Sequence, residues 1–380
     1  MNHIHSCRLL HTSTDELTIE TEAEGKPCVV AAHTLRHACV CDDCVDSHSG
    51  QRRTHVGSWP PDVKIDRADI KNGTELNVVF KEDGHRAIVR VPDLIGEVWT
   101  SREASYRRLW DASLATDPAS VSWPKLTDPS GHFSLLECLI RYGFAIVNEC
   151  PEQPGFVMQL AQYIGRIKES RVGPIFDVRF DPSPSNLAFT ADDLFLHTDN
   201  PYRDPAPGWQ ILHCIRNAVQ GGESYIADGF ACAAYLRDHH HDDYETLTST
   251  VVGFKFESPE ASFTSRRPII ALSELGEPLQ VSFNDRSMRP VTGSAERVAR
   301  FYQAYRRYRS LLADPTRQIR FKLAPGQTFI VDNYRVLHAR AGFSSTSPRH
   351  LQGAYVDRDW VPSHFRVARD RLTGGGGHAA

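Results

Sequence analysis

The most informative stretch of this sequence is Leu194-Phe195-Leu196-His197-Thr198-Asp199-Asn200-Pro201. Its three apolar residues predict a strand, and Asn200-Pro201 is expected to end it. Residues two apart on a strand point to the same face of a sheet, so His197 and Asp199 are expected to lie side by side. A histidine and a carboxylate placed in this way could supply two ligands to one metal ion.

A second histidine and an arginine follow far downstream. Thr328-Phe329-Ile330-Val331 predicts another strand, and His338 lies shortly after its end. Two imidazoles and one carboxylate on one face of iron(II) leave three positions open, as binding of a bidentate 2-oxo acid together with dioxygen requires. Arg349 could hold the distal carboxylate of that acid through two parallel hydrogen bonds. His-x-Asp alone is a weak signal, but the combination predicts a non-haem iron(II) oxygenase that uses 2-oxoglutarate.

The predicted elements around these residues favour a mainly β fold with added helices. Short strands are separated by long connections, and no βαβ rhythm recurs. Residues 135–142, closed by Gly143, predict a short helix. Residues 295–312 predict a longer one, because their apolar side chains fall on one stripe. We therefore expect an antiparallel jelly roll over residues 115–372 rather than a doubly wound parallel sheet.

Residues 1–98 predict a small β module. Leu17-Thr18-Ile19-Glu20 alternates as a half-buried strand does. Val78-Val79-Phe80 and Ile88-Val89-Arg90-Val91 flank Asp83-Gly84, which is a strong hairpin signal. The polar stretch from Thr100 to Ser120 is expected to link this module to the rest of the chain.

The module contains a cluster of metal-ligating side chains. Cys39, Cys41 and Cys44 supply three thiolates, and tetrahedral zinc requires one more ligand. His48 and His85 are the two candidates for that fourth position. The alternative is a set of three reduced, buried cysteines without a metal. A zinc ion held by four protein ligands would be structural, because no coordination position stays open for a substrate.

Composition bounds the remaining possibilities. The net charge of -4 over 380 residues gives no electrostatic reason to expect nucleic acid or an anionic membrane as a partner. No apolar run approaches the roughly 20 residues that span a bilayer, and residues 1–10 lack the apolar stretch of a signal peptide. Nine cysteines without regular spacing make a poor disulfide framework. We therefore expect a cytoplasmic protein.

Further stretches of the sequence match those of a known family. They are His197–Pro201, Pro207–Cys214, Gly221–Ser224, Ala227–Phe230, Phe283-Asn284, Asp332-Asn333 with His338, 349–355, and the N-terminal cysteine cluster. In these positions the sequence resembles the γ-butyrobetaine dioxygenases of the taurine dioxygenase superfamily. The similarity covers most of the chain.

The resemblance implies a double-stranded β-helix core with iron(II) at His197, Asp199 and His338. It also implies that Arg349 binds 2-oxoglutarate, and that Ser224, after the Gly-Gly turn, can touch it as well. The implied reaction hydroxylates a small molecule with dioxygen and releases succinate and CO2. Within the N-terminal module the resemblance favours His85 as the fourth zinc ligand, and it suggests a homodimer.

The substrate pocket is where this sequence departs from the family, whose aromatic cage surrounds a trimethylammonium group. The cage positions are occupied here by Val172, Phe176, Phe189, Asn200 and Tyr355. Val172 and Asn200 offer no aromatic ring, so cation–π stabilisation is reduced. Asn284, which in the family helps bind the substrate carboxylate, is kept. We expect a substrate with an acidic end near Asn284 and no strict need for a quaternary ammonium, such as a primary-amine amino acid; γ-butyrobetaine is the runner-up.

Two other function classes compete with a small-molecule hydroxylase. One is a protein-modifying or oxygen-sensing dioxygenase that recruits partners through the zinc module. The other is a jelly-roll scaffold whose site has decayed. The presence of His197, Asp199, His338 and Arg349 together disfavours the decayed scaffold.

Overall fold

A computed structural model describes residues 6–21, 27–95, 106–116, 119–170, 173–179, 190–344 and 348–372. The chain divides into two compact units, Met1–Ser105 and Tyr106–Ala380. In the described ranges, no helix combines the length and the apolar character needed to cross a membrane.

The first unit consists of two small antiparallel sheets and short helices. Its strands are β1 (Cys7–Thr12), β2 (Glu16–Thr21), β3 (Pro27–Ala31), β4 (Ile65–Lys71), β5 (Glu75–Phe80) and β6 (Arg86–Arg90), and its helices are α1 (Ala32–His37), α2 (Val91–Ile95) and the 3-10 turn Val56–Ser58. The sheet orders are β1-β2-β3 and β4-β5-β6. Leu17 and Ile19 on β2 are fully buried, which confirms the half-buried strand predicted there.

The predicted hairpin of the first unit is also confirmed. Strands β5 and β6 pair antiparallel, and the Phe80 amide donates to the His85 carbonyl across the turn. Gly84 has a φ of 65°, in the left-handed region that a glycine adopts without a Cβ clash. Val91, predicted as a strand residue, instead begins α2.

The second unit is larger and contains strands β7–β21. These are β7 (Ser120–Ser122), β8 (Phe144–Asn148), β9 (Ile167–Lys168), β10 (Phe176–Arg179), β11 (Leu194–His197), β12 (Trp209–Asn217), β13 (Ser224–Asp228), β14 (Val252–Ser258), β15 (Ala261–Arg267), β16 (Ile270–Leu272), β17 (Pro278–Val281), β18 (Gln318–Phe321), β19 (Thr328–Asp332), β20 (Val336–Arg340) and β21 (Arg349–Val356). Its helices are α3 (Pro129–Tyr142), α4 (Phe156–Ile164), α5 (Gly229–His239), α6 (His241–Ser249), α7 (Ala295–Ala313) and α8 (Trp360–Leu372), with 3-10 turns at Ala112–Thr116, Trp123–Thr127 and Pro315–Arg317.

Two sheets form the centre of the second unit. The larger has the order β10-β21-β12-β19-β8-β7 with β9 beside β21, and the smaller has the order β11-β20-β13-β18. Pairing is antiparallel except between β7 and β8. One hydrophobic cluster takes buried residues from both sheets, among them Cys214, Ile226, Ile319, Phe329, Val331, Val336 and Leu351. The unit is therefore mainly β with added helices, as predicted.

The two predicted helices are present with shifted bounds. Helix α3 starts six residues before the predicted Leu135, with Pro129 in its first turn, where the fixed φ of proline suits a helix start. It ends at Gly143, as predicted, with a φ of 75°. Helix α7 is capped by Ser294, whose hydroxyl accepts from the Arg297 amide, and it buries Phe301 on the predicted stripe.

A buried ion pair joins the start of the second unit to its centre. Arg335 and Asp228 are 2.8 Å apart with side chains that are 2% and 0% exposed. Arg335 also donates to the carbonyls of Arg141 and Arg108, and the Trp110 amide donates to Asp228. The described part of the predicted linker, from residue 106 onward, therefore packs within the second unit.

Candidate active site

A cavity of about 490 Å³ in the second unit contains His197, Asp199 and His338 in its wall. His197 is the last residue of β11 and pairs directly with His338 on β20. Their ring centroids are 4.5 Å apart. The Nε2 atoms of His197 and His338 lie 3.4 Å and 3.8 Å from the two carboxylate oxygens of Asp199. The sequence motif thus converges on one point of the cavity.

Asp199 reaches this point from a loop and not from the strand that we expected. Strand β11 ends at His197, because the next amide, that of Thr198, donates to the Phe283 carbonyl and not to the partner strand β20. The Asp199 backbone is then held by Asn333, whose side-chain oxygen accepts from the Asp199 amide at 2.6 Å and whose side-chain amide donates to the Asp199 carbonyl at 3.0 Å. The expectation that this strand runs as far as Asn200 is wrong for this reason.

The carboxylate of Asp199 is further fixed by hydrogen bonds. Gln210 and Tyr355 both donate to its Oδ2 atom, Tyr355 at 2.8 Å. Burial alone would raise the pKa of Asp199, but the neighbouring His338 and His197 outweigh it and hold that pKa below its usual value. The group is therefore an anion at neutral pH, as a metal ligand has to be.

His197 and His338 can each present a ring nitrogen with a free lone pair to a metal ion. The Nδ1 atom of His197 lies 2.7 Å from the Phe195 carbonyl, which can only accept a hydrogen bond, so Nε2 carries the lone pair. Burial and the nearby His197 lower the pKa of His338 to about 3, so this ring is neutral at physiological pH. A neutral imidazole is the form that binds a metal.

These three side chains fit a divalent transition metal. Their ligand atoms all lie within 4.8 Å of one another. The set of two imidazole nitrogens and one carboxylate is the facial triad of non-haem iron(II) sites, which leaves positions open toward the cavity.

Arg349, the first residue of β21, lines the same cavity. Its Nε atom is buried and has no hydrogen-bond partner among the described residues. Burial lowers the pKa of Arg349 to about 10, so the guanidinium stays charged at neutral pH. An enclosed cation with an unmet donor fits the carboxylate of a bound acid. Ser224, at the start of β13, also lines the cavity.

The structure brings together four of the predicted substrate residues. Phe176, Asn200, Asn284 and Tyr355 all line the cavity, whereas Val172 and Phe189 lie outside the described residues. The rings of Phe176 and Tyr355 have centroids 5.2 Å apart.

A glycine makes room for this aromatic pair. A Cβ at position 353 would lie 2.4 Å from the Phe176 ring, so only glycine allows Phe176 to lie across β21 at this point.

Sequence reasoning missed several residues of the site. Asn333 and Gln210 lie inside the stretches that carry the family resemblance, which gave a signal but no role. No local signal points to the aromatic wall made by Tyr202, Phe256 and Phe263, because the latter two come from the distant β14–β15 hairpin.

The first unit contains the second cluster of ligands. The Nε2 atom of His85 lies 3.4, 3.7 and 3.5 Å from the Sγ atoms of Cys39, Cys41 and Cys44. Tetrahedral zinc with bonds of about 2.0 and 2.3 Å separates its nitrogen and sulfur ligands by roughly 3.5 Å. His48, the alternative fourth ligand, is exposed and lies outside this cluster.

The surroundings of this cluster also suit a bound cation. Burial raises the pKa of Cys39 to about 12, so without a cation its thiol would stay protonated. Arg36, which forms a 2.8 Å ion pair with Asp83 at the hairpin, donates to Cys44 at 3.8 Å. Three thiols enclosed around one imidazole therefore fit a divalent metal that favours the thiolate form.

Comparisons with known proteins agree with this geometry. Residues 106–355 match the family described as taurine catabolism dioxygenase TauD, TfdA family, and residues 9–89 match gamma-butyrobetaine hydroxylase-like, N-terminal. The chain is 32% identical to gamma-butyrobetaine dioxygenase of Pseudomonas sp. (strain AK-1), over 91% of this chain and 92% of that protein. It is 26% identical to trimethyllysine dioxygenase of Meyerozyma guilliermondii, over 95% and 96% of the two chains. It is 31% identical to human gamma-butyrobetaine dioxygenase over 64% of each chain.

The two family matches each cover one of the two units and contain the corresponding ligand cluster. The resemblance inferred from the motifs is thereby confirmed. The chain belongs to the TauD, TfdA family and is a 2-oxoglutarate-dependent non-haem iron dioxygenase.

Proposed function

We propose that this enzyme holds iron(II) with His197, Asp199 and His338, and binds 2-oxoglutarate through Arg349 with a contact from Ser224. Its substrate is a small carboxylate-bearing amino acid or betaine-like molecule, of which it oxidises an unactivated C–H bond. The observation that carries the proposal is one cavity wall that contains the three converging side chains and the half-buried Arg349, whose buried Nε atom has no partner among the described residues.

The bound iron, 2-oxoglutarate and dioxygen supply the oxidising chemistry, with release of succinate and CO2. The protein supplies position and shielding. Asn333 and Gln210 fix the Asp199 ligand, and the Phe195 carbonyl orients His197. Apolar side chains complete the wall and restrict water around the reacting atoms; they are Leu194, Leu212, Phe329 and Leu351.

The two-sheet centre supports a double-stranded β-helix over residues 115–372. The ligands lie on the smaller sheet and the loop after β11, and Arg349 lies on the larger sheet, so the cavity opens between the two sheets. Ligand sites in the mouth of such a fold are common. A homodimer is a further expectation, which light scattering of the purified protein would test.

We also propose that residues 1–98 form a zinc-binding domain, with a structural ion on Cys39, Cys41, Cys44 and His85. The spacing of the four ligand atoms supports this. All four positions of the metal would be filled by protein, so the ion would stabilise the fold of the unit and take no part in the oxidation.

The decisive experiment measures succinate release from 2-oxoglutarate with iron(II) and a panel of carboxylate-bearing amino acids and betaines. His338→Ala, Asp199→Ala and His197→Ala should each abolish turnover and leave the circular dichroism spectrum unchanged. His241→Ala, an exposed histidine on α6, is the matched control and should behave as wild type. Wild-type turnover in His338→Ala would refute the assignment of the ligands.

A second candidate function is hydroxylation of γ-butyrobetaine itself. The 32% identity to the Pseudomonas gamma-butyrobetaine dioxygenase favours it, as do the paired rings of Phe176 and Tyr355. Against it stands Asn200, whose side chain is hydrogen-bonded to Tyr202 and offers no ring. Turnover of γ-butyrobetaine well above every amino acid in the panel would establish this second candidate.

A further inference from the structure

We infer that the substrate carboxylate pairs with Arg286, and that the carbon body of the substrate lies on an aromatic wall made by Tyr202, Phe256 and Phe263. The site then selects acids with an apolar body and needs no cationic group on the substrate. This inference rests on the proposed function, because it concerns the substrate of the same cavity.

The charges around the cavity favour an anion. Lys168 and Lys255 line it, but they form ion pairs with Asp357 and Glu257, both at 2.6 Å. Arg286, whose side chain is exposed at the edge of the cavity lining, carries no carboxylate partner in any ion pair found among the described residues.

The cavity lining contains fewer carboxylates than basic side chains. Asp199 belongs to the metal site, and Glu169 is the other acidic residue of the described lining. Arg203 adds another cation, so the part of the cavity open to a substrate carries a net positive charge beyond Arg349. A carboxylate would be attracted into such a cavity, and a cation would be opposed by it.

The position of Arg286 is tied to the metal site through Asn284. The Asn284 side-chain amide donates to the Thr198 carbonyl at 2.9 Å, and its oxygen accepts from the Arg286 amide at 3.1 Å. One end of this buried side chain therefore binds the backbone of the His-x-Asp motif, and the other end binds the backbone of Arg286. Asn284 acts as a positioning residue in this arrangement, and the charge that meets the carboxylate comes from Arg286.

The aromatic wall argues against a substrate ammonium. Tyr202 stacks on Phe256 and Phe263, with centroids 5.1 and 6.3 Å apart and rings within about 21° of parallel. The Arg203 guanidinium carbon already lies 4.3 Å from the centre of the Phe263 ring. The protein thus supplies the cation of this cation–π contact, and a substrate ammonium brought to the same rings would meet a like charge.

The test compares each carboxylic acid with its neutral amide. Wild-type enzyme, Arg286→Gln and Arg289→Gln are assayed by succinate release with 3-phenylpropanoate, phenylalanine, γ-butyrobetaine and the corresponding amides. Anaerobic calorimetry measures binding of 3-phenylpropanoate and its amide to enzyme loaded with iron and 2-oxoglutarate. Arg289, three residues away, is exposed as Arg286 is but does not line the cavity, so it is the matched control.

We expect Arg286→Gln to raise KM and Kd for the acids about tenfold, as loss of one charge-assisted pair predicts, with little change in kcat. The amides should bind weakly and equally to all three proteins, and Arg289→Gln should match wild type. Equal effects on acids and amides, or no binding of 3-phenylpropanoate to wild type, would overturn the inference. Failure of the proposed function looks different: succinate release would then be absent with every compound, or would survive His338→Ala.

Discussion

Asn333 offers the sharpest single test of how the metal site is built. Its side chain is 1% exposed and forms three hydrogen bonds, to the Asp199 amide at 2.6 Å, the Asp199 carbonyl at 3.0 Å and the Pro207 carbonyl at 2.9 Å. Asn333→Ala removes all three. At about 1 kcal/mol of net stability for each bond, the free energy of unfolding should fall by about 3 kcal/mol.

The same substitution should weaken metal binding, because Asp199 is no longer held opposite the two histidines. Loss of a group that orients a metal ligand reduces metal affinity by about 10- to 100-fold. Titration of metal-free protein with iron(II) under anaerobic conditions measures the affinity, and urea denaturation measures the stability. The matched control is Asn217→Ala, which removes one side-chain bond, to the Leu323 carbonyl at 2.8 Å, away from the cavity. An Asn333→Ala protein that binds iron within twofold of wild type would refute the reasoning.

Three further predictions follow from other parts of the structure. Arg349→Gln should raise the KM for 2-oxoglutarate at least about tenfold with the iron affinity unchanged, since a charge-assisted pair at a half-buried guanidinium is lost; an unchanged KM would contradict that role. Elemental analysis should find about one zinc per chain beside iron, and Cys41→Ser or His85→Ala should lose the zinc and lower the melting temperature of the first unit, while iron binding persists. Burial lowers the pKa of His213 to about 4, so between pH about 6.5 and 4 the unfolded chain binds a proton that the folded chain does not. The free energy of unfolding should therefore decrease as the pH is lowered from about 6.5 to 4, and it should decrease less steeply in His213→Gln.

Much of the secondary structure could be predicted, because it depends on patterns of neighbouring residues in the sequence. The alternation around Leu17 and Ile19, the Asp83-Gly84 hairpin signal and the glycine at the end of α3 each follow from a few neighbouring residues. The convergence of His197, Asp199 and His338 could be predicted from residue types and spacing, and that of His85 with the three cysteines from the family resemblance.

The rest depends on contacts between distant parts of the chain. Asp199 leaves its strand because of Asn333, which is 134 residues away, and no pattern near Asp199 contains that information. The wall of Tyr202, Phe256 and Phe263 exists only when the β14–β15 hairpin folds against the loop after β11. Asn284 lines the cavity, and its side chain also binds the backbone of Thr198 and of Arg286, two contacts that no pattern near Asn284 shows.

The buried pair of Arg335 and Asp228 has a practical consequence for anyone who wants to separate the two units. The guanidinium of Arg335 donates to the Arg108 carbonyl. A truncated protein that begins after Arg108 therefore leaves a buried N–H group of Arg335 without its hydrogen-bond acceptor. Arg335 also lies on the same short connection as Asn333, between β19 and β20. A cut made too late would therefore loosen the connection that holds Asp199, and the fragment would lose iron affinity although every ligand is still present. The first residue of a useful fragment is Tyr106 or an earlier one.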